Sequence, residues 1–274
     1  MKKILLAFDG SHFSEGAFAF AKALNERKKI LLTAAFLPQV DFANLWSYSG
    51  GGAAGGVFIP LVEDADTETV VKNIARFENL CIQNNIEYRV HKDFLDFALP
   101  ELKKETRFAD LLVIGSEKFY ENIGDSSSYL EDLLHDVECP VMLVPEKFEF
   151  PTTNILAYDG SGSSVYAIKQ FAYLLPELAG QSSVLVNINK HGEGTIPEEV
   201  NIEELAARHF HDLTITSLEG DDNDSFAKWL DYRKKPLLIS GSFGRGVFSR
   251  MFHKSFAKDI VKKHRVPLFI AHHI

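Results

Sequence analysis

Ile4-Leu5-Leu6-Ala7-Phe8-Asp9-Gly10-Ser11 recurs as Asn154-Ile155-Leu156-Ala157-Tyr158-Asp159-Gly160-Ser161, at an offset of 150 residues. Each copy is a short apolar run closed by Asp-Gly-Ser, which reads as a buried strand entering a turn. A second match pairs Ala109-Asp110-Leu111-Leu112-Val113-Ile114-Gly115-Ser116 with Lys235-Pro236-Leu237-Leu238-Ile239-Ser240-Gly241-Ser242, at an offset of 126. A third pairs Cys139-Pro140-Val141-Met142-Leu143-Val144 with Val266-Pro267-Leu268-Phe269-Ile270-Ala271, so each copy closes with a strand. One chain therefore contains two copies of one unit, and a repeat of this kind decides the fold before any local reading does.

The drop in offset gives the first copy about two dozen additional residues, which fall between Pro38 and Val62. That stretch holds Gly50-Gly51-Gly52-Ala53-Ala54-Gly55-Gly56 between aromatic flanks, and reads as a flexible lid or contact segment. It follows no clear strand and no Lys-Ser/Thr follows it, which argues against a phosphate loop.

Between the landmarks strand and helix signals alternate. In the first copy they place strands at 30–36 and 87–91 and helices at 66–84 and 99–107. In the second they place strands at 183–189 and 213–218 and helices at 197–210 and 225–233. Continuous Ile/Leu/Val runs between amphipathic helices imply parallel strands covered on both faces. The expected architecture is α/β: two doubly wound, mostly parallel five-stranded sheets, one in residues 1–148 and one in residues 149–274. Ligands are expected beyond the carboxyl ends of the first and fourth strands, at the switch point.

Composition agrees with packed cores, with 46% hydrophobic and 24% charged residues. No apolar run approaches the roughly 18 residues that span a bilayer, and Asp9 interrupts the amino terminus before a secretory segment could be completed. The expectation is a cytoplasmic protein that does not engage a membrane. Cys81 and Cys139 have neither CxxC spacing nor a histidine cluster beside them, so they read as core thiols, and no metal site is expected. The net charge of −9 lies in the first half: residues 1–150 hold 24 acids and 15 bases, residues 151–274 hold 14 of each. That balance argues against nucleic acid as a partner.

With this repeat and these two strand ends, the chain resembles the universal stress protein family over essentially its whole length. Nucleotide-binding members of that family follow the fourth strand with Gly-x2-Gly-x9-Gly-[Ser/Thr] and place an Asp at the end of the first. Here the second copy reads Gly241-Ser242-Phe243-Gly244-Arg245-Gly246 and later Lys254-Ser255, with Lys254 in place of the third glycine. The resemblance implies the adenine nucleotide alpha hydrolase-like, Rossmann-like fold and an intramolecular pseudo-dimer in which the last strands pair antiparallel. Further homodimerisation is left open. It also implies ATP or another adenine nucleotide as ligand with Mg²⁺ as its companion, a stress-response regulatory role, and a protein partner that the residues do not name. By the same resemblance Ala157, Asp159 and Ile188 belong to the base side, and Gly241, Gly244, Arg245, Lys254 and Ser255 to the phosphates. The corresponding first-copy positions are Asp9, Ala34, Gly115, Ser127 and Ser128.

Charge separates the copies independently of family. Between Arg245 and His264 the second copy has Arg245, Arg250, Lys254, Lys258, Lys262 and Lys263 against Asp259. The matching stretch of the first copy has Asp125, Glu131, Asp132, Asp136 and Glu138 with His135, where a phosphate would be repelled. A plainer reading stays open, because Asp-Gly-Ser after a strand is also an ordinary turn and helix cap. No nucleophile constellation stands out, so the expectation is a binding protein, at most a slow ATPase. The alternative is a scaffold that binds no nucleotide.

Overall fold

The computed structural model describes residues 1–9, 12–37, 64–91, 98–116, 136–189, 195–219, 223–241 and 266–271. The first half runs β1 (Lys2–Phe8), α1 (Glu15–Arg27), β2 (Ile30–Phe36), α2 (Asp64–Gln83), β3 (Glu87–His91), α3 (Ala98–Thr106), β4 (Leu111–Gly115) and β5 (Val141–Val144). The second half runs β6 (Thr153–Ala157), α4 (Gly162–Leu174), a short α5 (Pro176–Ala179), β7 (Ser182–Asn189) and α6 (Glu199–His209). It continues with β8 (Leu213–Glu219), α7 (Asn223–Asp231), β9 (Pro236–Gly241) and β10 (Leu268–Ala271).

The ten strands form one sheet in the order β3-β2-β1-β4-β5-β10-β9-β6-β7-β8. Read outward from its centre, each half has the same order. All neighbouring pairs are parallel except β5 and β10, which run antiparallel with Met142 opposite Phe269. The expectation of two five-stranded sheets is corrected here. The antiparallel pairing of the last strands satisfies both otherwise open edges, and in doing so makes the sheet continuous.

Alternation along the strands sorts the core into two layers. Ile4, Leu6, Phe8, Leu156 and Phe269 face one side, under α1, α2, α4 and α6. Leu5, Ala7, Ile155, Leu268 and Ile270 face the other, with Leu102 of α3 and Phe226 and Leu230 of α7. Cys81 and Cys139 are buried free thiols.

The connection between the halves is packed down. Phe150 stacks on Phe20 of α1 with centroids 5.4 Å apart, and the Arg27 guanidinium lies 3.9 Å above the Phe150 ring. Glu177 of α5 takes the ammonium groups of Lys2 at 3.1 Å and Lys28 at 3.3 Å, a direct ionic tie between the halves.

Candidate functional site

In the second half β6 lies between β7 and β9, and the chain visits β7 before returning to β9. That reversal puts a switch point, where doubly wound sheets form their ligand crevice, beyond the carboxyl end of β6. Three residues separate Tyr158 from α4, and they are tightly held. Asp159 Oδ1 accepts the Ser161 amide at 3.0 Å, and Ser161 Oγ accepts the Ser164 amide at 3.2 Å, capping α4. Gly160 sits at φ +79°, a conformation that suits glycine, with Pro197 Cβ 2.7 Å from where a Cβ would stand. The Tyr158 hydroxyl donates to the Pro197 carbonyl at 2.8 Å, and Asn187 Nδ2 donates to the Tyr158 carbonyl at 2.9 Å. Burial first, then Glu198 and Asp159, push the Tyr158 phenol above its ordinary value, so this hydroxyl stays a donor.

The start of α4 has a different character. Its first turn carries no acid, and a Cβ built on Gly162 would meet nothing within 4 Å. Among the described residues no acceptor takes the amides of Gly162 and Ser163, so the positive end of a 13-residue helix has two amides that none of them meets. Gly241, at the end of β9, backs onto this same point. A Cβ there would lie 2.5 Å from the Ser163 carbonyl carbon and 2.7 Å from the Ser164 nitrogen, so only glycine lets strand and helix approach so closely.

The first half presents the same elements in a closed form. Six residues separate Phe8 from α1. Asp9 is only 6% exposed, and it accepts the His12 amide on Oδ1 at 2.7 Å while His12 Nδ1 lies 3.1 Å from Oδ2. Phe13 stacks on Phe8 at 4.8 Å beneath the Arg76 guanidinium, which also pairs with Glu15. Glu146, just after β5, accepts the Gly16 amide at 3.2 Å, and Pro145 O occupies the space where a Gly16 Cβ would go. The helix end that meets no described acceptor in the second half is thus met here by a carboxylate of the chain itself.

Asp159 and Gly241 therefore come together at one crevice. Ala157 does not face it, because its side chain is buried in the second apolar layer. Ile188 pairs with Leu218 in β7, so its backbone flanks the crevice from the neighbouring strand. Asp9 and Gly115 lie at the corresponding first-half point, with Gly115 against Ser14, and Ala34 is buried in the first apolar layer. Gly244, Arg245, Lys254, Ser255, Ser127, Ser128 and the Gly-rich insertion lie outside the described residues. Sequence reading passed over Glu146 and Gly162. The signal for Glu146 was in the repeat: Pro145-Glu146 follows β5 where His272-His273 follows β10.

Among the described residues no three His, Cys, Asp or Glu side chains gather as a metal site would require, and no helix is long and apolar enough to cross a membrane. No family model matches the chain. The chain is 24% identical, over 98% of its own length and 99% of the relative's, to Universal stress protein Slr1230 of Synechocystis sp.. Its fold matches the crystal structure of a universal stress protein from Archaeoglobus fulgidus with a TM-score of 0.66 and 17% identity, covering 99% of this chain and 96% of that one.

Proposed function

We propose that this chain is a tandem universal stress protein whose halves, residues 1–148 and 149–274, form an intramolecular pseudo-dimer, and that only the second half binds an adenine nucleotide. The observation that carries the reading is the amino end of α4 beside Gly241 and just after Asp159, whose Gly162 and Ser163 amides have no acceptor among the described residues. A phosphate there meets unpaired amides and the helix dipole. Asp159 stands on the base side, where a carboxylate suits a ribose hydroxyl or an amino group. The cations that follow Gly241 in sequence supply further attraction, and Mg²⁺ would arrive with the nucleotide. In the first half Glu146 already accepts at the matching helix end, and His12 engages both carboxylate oxygens of Asp9 where the turn takes only Oδ1 of Asp159, which favours a structural role for that half.

On this reading the protein is a cytoplasmic regulator whose nucleotide state alters the surface it offers to a protein partner. Gly162→Glu tests it by placing a carboxylate on the first residue of α4, where α1 has Glu15. A Cβ at Gly162 meets nothing within 4 Å, and an acid suits a helix start. Titration calorimetry with ATP should show one site per chain, weakened at least about tenfold in the variant. Unchanged affinity in Gly162→Glu would reject the proposed phosphate position.

A further inference from the structure

A groove of about 620 Å³ lies at the opposite end of β9 from the nucleotide crevice, between the segment after β5 and the segment between α7 and β9. Four cations, Lys147, Arg233, Lys234 and Lys235, line it against two acids, Glu149 and Asp231, although the chain as a whole carries a charge of −9. Glu149 is matched to Lys235 at 2.7 Å. The volume is that of a small-molecule site.

Arg233 is the informative residue. Its guanidinium lies 4.1 Å over the Trp229 ring, which fixes its plane, and its Nε is buried without a hydrogen-bond partner among the described residues. A buried guanidinium donor left unmatched is costly, and most such groups find an acceptor. The repeat shows what that acceptor should be. Arg107 occupies the same place in the first half, two residues before Ala109 as Arg233 is two before Lys235. There Nε donates to Glu138 Oε2 at 2.9 Å and Nη2 donates to Oε1 at 2.7 Å, a two-pronged carboxylate grip. Glu138 precedes Cys139-Pro140, whereas Arg265 precedes Val266-Pro267, so the sequence of the second half has no carboxylate at that position of the repeat.

We infer that the groove beside Arg233 is a second binding site, distinct from the nucleotide crevice, for a carboxylate-bearing organic anion of metabolite size. The ligand's carboxylate takes the place that Glu138 takes on Arg107. Its carbon body lies along the groove, and Lys147 and Lys234 favour a second negative charge. Arginine suits this role because its planar fork matches a carboxylate, which a lysine ammonium does not.

Succinate is the probe. In the full chain the ¹⁵Nε–H resonance of Arg233 should shift saturably with succinate at constant ionic strength, while that of Arg107, already held by Glu138, stays still. Trp46→Phe leaves Trp229 as the reporter indole, since the chain has two tryptophans. Its fluorescence should follow the same isotherm. Apparent affinity should fall at least tenfold when Arg233→Gln is added, and Arg233→Lys should recover only part of it. A response that merely tracks ionic strength, equal movement of both arginines, or an isotherm unchanged in Arg233→Gln would overturn the assignment.

Discussion

The Oε2 atom of Glu146 stands 3.2 Å from the amide nitrogen of Gly16, so a carboxylate 130 residues further along the chain accepts a free donor at the start of α1. Such an acid is worth about 0.3–1 kcal/mol through the unpaired amides and the helix dipole. Glu146→Gln should lower stability by about that amount, read by urea unfolding. Exchange of the Gly16 amide should quicken with no change in nucleotide affinity.

Three glycines separate close packing from open space. Gly241→Ala drives a Cβ into the backbone of Ser163 and Ser164 and should cost about 1–3 kcal/mol. Gly16→Ala meets the Pro145 carbonyl and should be at least as harmful. Gly162→Ala meets nothing within 4 Å and should leave the melting temperature unchanged or slightly raised, because alanine favours the helix. Thermal unfolding of the three variants orders them directly.

Much of this frame was legible beforehand, for reasons specific to each element. The strands Ile30–Phe36 and Glu87–His91 have the limits the sequence suggested. The antiparallel meeting of Val141–Val144 with Leu268–Ala271 was likewise expected, yet its consequence, one sheet rather than two, was not drawn. The site was less legible. Asp-Gly-Ser appears in both copies, but three residues separate Tyr158 from α4 while six separate Phe8 from α1, and a helix start is a weak local signal. The contact of Glu146 with Gly16 depends on where β5 ends relative to α1, a fact of three-dimensional packing.

The tie between halves at Glu177 should respond to acid and salt. Burial alone would raise the Glu177 carboxyl, but its own amide and the ammonium groups of Lys2 and Lys28 outweigh that and hold it below 4.5. A carboxyl depressed in the folded state adds stability above its unfolded value, and this is lost as pH falls through the folded value. Glu177→Gln should therefore cost up to about 1 kcal/mol at neutral pH, less in high salt, and nothing once the pH is well below 4.5. Urea midpoints of both proteins across pH 3–7 provide the comparison.

Burial pushes the Cys81 thiol up to about 12, helped by Glu78, and does the same for Cys139 against an opposing backbone hydrogen bond. Both should resist alkylation in the folded protein at pH 8 and react promptly in urea. In the unfolded chain these thiols ionise near 9.0, so their contribution is complete below that pH and is lost as pH rises toward about 12. A double Cys→Ala variant should lose less stability than the parent over that interval.

Hydrogen exchange with and without ATP, compared between the parent protein and Gly162→Glu, tests the asymmetry of the two halves most directly. The account predicts ATP-dependent protection at 160–164 and 241–255, none at 9–16, and loss of that protection in Gly162→Glu. Absence of protection at millimolar ATP, or equal protection at both helix starts, would contradict it.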